Sequence, residues 1–122
     1  MSDELLRQEN KKTRFLREDE KMLLTALLSK HADFLRFKEE IARGKVCDMS
    51  DGGMGSVKFV MTEERSLGGI LVEADYFDDD GVPVVISINV DEKGNLYEMD
   101  FWKTDFSPLI KYPQPESVLI KI

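Results

Sequence analysis

Apolar residues recur at helical spacing between Glu18 and Lys30: Met22, Leu23, Ala26 and Leu27, with Leu24 and Leu28 adjoining. Three acids, Glu18, Asp19 and Glu20, fall in the first turn, where the helix dipole favours negative charge. This pattern predicts an amphipathic helix. Phe34, Leu35, Phe37, Lys38 and Ile41 predict a second, shorter helix that stops at Gly44.

After Gly44 the period changes to two. KVCDM, SVKFVMT, GGILVEADYF, VPVVISINV and NLYEMDFW read as five strands. Alternation places Ile70, Val72, Ala74 and Tyr76 on one face and Glu73 and Asp75 on the other. It likewise separates Val84, Ile86, Ile88 and Val90 from Ser87 and Asn89, and Tyr97, Met99 and Phe101 from Glu98, Asp100 and Trp102. DDDGV and DEKGN are tight connections, with Gly81 and Gly94 where a left-handed residue is needed. Short connections imply an antiparallel meander. The expected fold is α+β, with N-terminal helices packed on one face of an antiparallel sheet of about five strands. The expected organisation is a single domain over 1–122, comprising a loose segment 1–13, a helical part 14–44, and a sheet with C-terminal segment 45–122.

The chain's 122 residues have room for one core, and a 42% apolar and 34% charged composition suits a folded, soluble domain. No apolar run reaches the roughly 18–20 residues of a membrane span, and the charged N-terminus lacks a signal peptide's apolar segment. The single Cys47 has no internal disulfide partner and reads as a buried small hydrophobe. A cytoplasmic location is expected.

Charge changes the picture more. The net charge is −7, and the imbalance is confined to residues 69–105, where ten acids face only Lys93 and Lys103. A field of that sign repels nucleic acid and anionic membranes and attracts a basic partner.

DMSDGGMGS, residues 48–56, poses the question of a phosphate loop. Such a loop must feed a helix whose N-terminal amides hold the anion. Here it joins two strands, it has no G-x-G-x-x-G spacing, and Asp48 and Asp51 flank it. Gly52 and Gly53 are expected to form a hairpin turn, and Gly55 a bulge or a close approach.

His31 is the only histidine, so neither a usual zinc site nor a Ser-His-Asp triad can be assembled. Asp78, Asp79 and Asp80 resemble half a calcium loop but lack its Gly and Glu spacing. No metal and no cofactor is expected. The sharper signal is the face bearing Glu73, Asp75, Glu98 and Asp100, all expected to be exposed. It reads either as solvated surface or as a docking site for a basic protein. Trp102, on the same side, is either an interface anchor or packed beneath DFSPLIKYP.

The LLxxLL-type helix, VCDMSDGGMGSVKF, DDDGVPVVISINVDEKGNLYEMDFW and WKTDFSPLIKYP together resemble a family of small bacterial domains of unknown function, over roughly residues 14–115. DGGMGS and WKTDFSPL carry the specificity. The resemblance extends to immunity proteins of contact-dependent inhibition and polymorphic-toxin systems. It implies a non-enzymatic protein that binds a cognate toxin, many such toxins being nucleases with basic clefts. No catalytic residue is carried over. Two other readings remain: a binding domain of unrelated role, dimeric through its sheet edge, and a carboxylate-dependent hydrolase.

Overall fold

The computed structural model describes residues 12–121. In chain order it contains β1 (Arg14–Phe15), α1 (Glu18–Leu28), α2 (Phe34–Arg43), β2 (Lys45–Asp48), β3 (Val57–Phe59), β4 (Leu67–Phe77), β5 (Pro83–Asp91), β6 (Leu96–Lys103), a 3-10 turn (Pro115–Ser117) and β7 (Leu119–Ile120). The fold is α+β: two helices and an open antiparallel sheet of seven strands. Two strands more than expected are present because β1 and β7 are two residues each, too short to express a period. β1 also places strand inside the stretch read as helical, 14–44. The expected segment 1–13 lies almost wholly outside the described residues.

The strand order is β1-β2-β3-β6-β5-β4-β7. It is not the simple meander that short connections imply, because β3 pairs with β6 rather than β4. The 60–66 connection carries the chain past the ends of β6 and β5, and Arg65 secures it there. The Arg65 guanidinium donates to the main-chain oxygens of Phe59 and Leu96 and pairs with Asp91 at 3.1 Å. Asp91 is buried; burial pushes its carboxyl up, but the Asn95 amide, Arg65 and the Lys93 amide outweigh that and hold it low.

Helical periodicity becomes packing on the inner face. Leu23, Leu24, Leu27 and Leu28 of α1, with Phe37 and Ile41 of α2, bury against Val46, Val57, Phe59, Ala74, Tyr76, Val84, Ile86, Ile88, Met99 and Phe101 of the sheet. Met22 instead faces outward. Burying a side chain of this size stabilises the fold by about 1.5–3 kcal/mol. The first turn of α1 is fixed by Glu20, a buried carboxylate that accepts from the Arg17 amide at 2.8 Å and pairs with Arg14 at 2.7 Å. Arg14 also reaches Asp48 at 2.7 Å, tying β1 to β2.

Gly44 ends α2 for a reason other than left-handed backbone. Its φ is −69°, but an added Cβ would lie 2.4 Å from the Glu40 carbonyl oxygen. Space, not φ, requires glycine there.

Two bulges overturn face assignments made from alternation. A register shift between Ile70 and Val72 puts Ile70 opposite Asn89, exposed on the outer face. A second, where Val90 meets Leu96, buries Leu96 and leaves Tyr97 half-buried beneath Arg65 and Lys58. No helix among the described residues is long and apolar enough to cross a membrane.

Candidate functional site

With both helices on the inner layer, the outer face of the sheet is left without a helix. Its residues form two cross-strand rows. Trp102 sits beside Val85, Val85 beside Asp75, and Asp75 beside Leu119. In the next row Asp100 sits beside Ser87 and Ser87 beside Glu73, while Glu98 pairs with Asn89 further along. The structure thus gathers Glu73, Asp75, Glu98, Asp100 and Trp102 on one face. The acids of β4 and β6 are not direct neighbours, since β5 runs between them.

None of the four acids is fully exposed; all are half-buried by their neighbours. Lys121 lies 4.0 Å from Glu73 and 3.2 Å from Asp75, so that pair is partly neutralised. Glu98 accepts a hydrogen bond from Asn89 Nδ2 at 2.8 Å. Asp100 is the crowded one. Burial, then the nearby Glu98 carboxylate, raise its carboxyl above the usual range against a hydrogen bond from Ser56, and Asp51 adds to the rise. A cation docking beside Asp100 would relieve that crowding.

Trp102 is 45% exposed and is not packed beneath the following segment. Its ring stands 6.4 Å from that of Phe106, tilted by 49°. Phe106 is itself 68% exposed and holds φ at 63°, a left-handed conformation that costs a bulky residue about 1–2 kcal/mol. Its amide donates to the Lys103 carbonyl at 2.8 Å. Phe77 and Leu119 add further exposed apolar surface along the same end of the face.

A buried ionic clamp engages the chain on either side of Phe106, at Lys103 and Pro108. Lys103 Nζ lies 2.8 Å from Asp78 Oδ2 and 2.7 Å from Asp80 Oδ2, and donates to the Pro108 carbonyl at 3.2 Å. Asp78 also accepts from the Ile110 and Lys111 amides at 2.8 and 3.0 Å. Burial alone would push the Asp78 carboxyl up; the Ile110 amide, the Lys103 ammonium and the Asp79 and Lys111 amides outweigh it and hold it at about 2. Two of the three aspartates in the run that resembles half a calcium loop, Asp78 and Asp80, thus hold an ammonium group.

The glycine loop packs on the same clamp. Gly52, Gly53 and Gly55 have φ of 76°, 83° and 106°. The Asp51 carboxylate accepts from the Met54 and Ser56 amides at 3.1 and 2.9 Å, so the loop folds around its own acid. The Gly53 carbonyl accepts from the Leu109 amide at 3.1 Å, and an added Cβ on Gly53 would touch Pro108 at 3.5 Å. Ser56 Oγ accepts from the Phe101 amide at 2.8 Å. DGGMGS and WKTDFSPL, distant in sequence, are one interlocked unit. Gly81 and Gly94 take φ of 78° and 82° in the turns after β4 and β5.

Sequence reasoning missed Phe106, and it named Asp78 and Lys103 without pairing them. One signal was available: Lys103 is one of only two bases in a strongly acidic stretch. Cys47 is buried, and His31 accepts the Asp33 amide on Nδ1 at 3.0 Å.

Among comparisons with known proteins, one family model matches residues 13–113, that of a domain of unknown function (DUF6984). No curated protein matches the chain. No solved structure matches it either.

Proposed function

The chain belongs to the DUF6984 family of domains of unknown function, and on that premise we propose that it is a non-catalytic immunity protein that binds and neutralises a cognate bacterial toxin. The partner carries a basic cleft, as a nuclease does, and the outer sheet face enters it. The observation that carries this reading is the Trp102–Phe106 pair, exposed among Asp75, Asp100, Glu73 and Glu98. The fold gives up stability to hold Phe106 at positive φ and gains no core packing from it. Aromatic anchors among acids suit a desolvated contact with arginines and lysines. The immunity role itself comes from the resemblance of DGGMGS and WKTDFSPL.

The test begins with the neighbouring genes: the reading expects one for a large secreted protein, whose C-terminal domain is then co-expressed with this chain. Survival with the wild-type chain, and death with a Trp102→Ala/Asp75→Lys variant that still folds, is the expected outcome. A wild-type chain that gives no protection sinks the proposal.

A second reading has its own observation. β7 pairs with β4 only at Ala74 and Asp75, leaving the edge of β4 from Leu67 to Val72 beside exposed Leu67 and Ile70. Such an edge can accept a strand of a second copy, and sedimentation of the purified chain alone decides it.

A further inference from the structure

The outer sheet face carries an apolar band at the end nearest the turn after β4. Two cross-strand rows compose it. In one, Trp102 stands beside Val85 and Asp75 beside Leu119. In the other, the Thr104 amide donates to the carbonyl of Pro83, which pairs with Phe77. Phe106 extends the band past Trp102. Phe77 is 67% exposed and Leu119 74%, so this surface lies open to solvent. A contiguous apolar patch rimmed by charge marks an interaction site.

Acids line both borders of the band. On one side lie Glu73 and Asp100, in the row beyond Val85, with Lys121 partly neutralising the corner of Glu73 and Asp75. On the other side, just past the ends of β4 and β6, lie the exposed Asp79 and Asp105. This layout is complementary to a helix whose apolar stripe runs between two basic flanks. Three strand spacings separate Trp102 from Leu119, roughly 14 Å, a distance that about ten helical residues span. A second copy in face-to-face contact would set these acids against their own kind. An added strand would need a sheet edge rather than a face.

We propose that this band binds a basic amphipathic helix of the partner, laid across β6, β5, β4 and β7, with its apolar stripe on Trp102, Val85, Phe77 and Leu119 and its lysines or arginines over the flanking acids. The inference rests on the reading of this face as a docking surface and adds the element that docks there. The fold's own helices cover only the inner layer, and the incoming helix supplies a third.

Trp102 is the chain's single tryptophan, so its emission reports on the band directly. The probe is a tryptophan-free peptide of about 18 residues, with leucines at i, i+3, i+4 and i+7 spacing and lysines on both flanks. Titrated into the full chain, it should shift Trp102 emission to the blue and shield the ring from acrylamide, saturating at one peptide per chain. A peptide of the same composition with leucines and lysines interspersed should bind at least about tenfold more weakly. The probe should lose a similar factor on Phe77→Ser/Leu119→Ser, since both side chains are exposed and neither belongs to the core. Equal affinity for the interspersed peptide, undiminished binding by the serine variant, or no saturable shift would each overturn the proposal. So would a blue shift on concentrating the chain alone, which would assign the band to a second copy. Protection in cells separates this inference from the immunity reading. A chain that binds the probe but gives no protection keeps the helix site and loses the immunity role. A serine variant that protects as well as the wild type loses the helix site and keeps the role.

Discussion

Lys103 Nζ and Asp78 Oδ2 lie 2.8 Å apart with both side chains wholly removed from solvent. The pair joins the end of β6 to the turn after β4, and through the Pro108 carbonyl and the Ile110 and Lys111 amides it pins the C-terminal segment as well. Three parts of the chain thus share one ion pair. Removing one partner of such a pair is costly because the other charge is stranded.

Lys103→Met should therefore lower the melting temperature by roughly 10 °C or more. Asp78→Asn/Lys103→Met, which leaves only the part-exposed Asp80 carboxylate without its partner, should recover part of that loss. Calorimetry on the three proteins checks it. A double variant no more stable than the lysine variant would mean that the amide contacts to Asp78, not the ion pair, hold the clamp.

Acid should loosen the same clamp. Asp78 has a folded-state pKa of about 2, below the ordinary aspartate value of 3.8. A depressed carboxyl contributes its stability fully above the unfolded value and loses it as pH falls toward the folded one. Stability should decline between about pH 4 and pH 2, and Asp78→Asn should flatten that decline. Asp100 and Glu40, whose carboxyls are raised, act in the opposite sense at higher pH. Urea unfolding at a series of pH values separates the two.

The glycine loop offers a graded test. Gly52→Ala and Gly53→Ala should each cost about 1–2 kcal/mol, because both sit at positive φ. Gly53→Val should cost more than Gly52→Val, since Pro108 lies 3.5 Å from a Cβ on Gly53 and nothing lies within 4 Å of one on Gly52. Equal losses for the two valines would show that the loop moves away from Pro108.

For the docking face, kinetics distinguish steering from anchoring. Glu73→Lys/Asp75→Lys should slow association with the proposed toxin partner and flatten its dependence on salt, because screening acts over about 8 Å at physiological ionic strength. Trp102→Ala should speed dissociation, by about 2 kcal/mol if it is a central anchor. Stopped-flow measurements decide it. A charge-reversed chain that associates at the wild-type rate would leave the acids as ordinary solvated surface.

Both helices and the five longer strands were legible because each sustains its period over several residues. β1 and β7 were not, since two residues show no alternation. Ile70 and Tyr97 were assigned to the wrong face because a bulge shifts the alternation by one residue. The outer-face acids were found, as alternation alone decides their side. Their partners were not: Lys121 reaches Glu73 and Asp75 from just beyond a strand of no visible period. Phe106 was illegible for another reason, because nothing in WKTDFSPL signals a phenylalanine at positive φ. The clamp that brackets it, at Lys103 and Pro108, is seen only once the chain is folded.

The pairing of β3 with β6 constrains the order in which the chain acquires its structure. β4, β5 and β6 are successive hairpins and can form locally, but β3 must wait for a strand made much later in the chain. Closing so long a loop is slow relative to closing a turn. The meander should thus nucleate refolding, with the β2–β3 hairpin and its glycine loop docking onto it afterwards. Pulse-labelled hydrogen exchange should find the amides of β5 protected before those of β2, whereas simultaneous protection would point to a single nucleus. During synthesis, then, the helices and first three strands would leave the ribosome without the neighbour that completes their sheet.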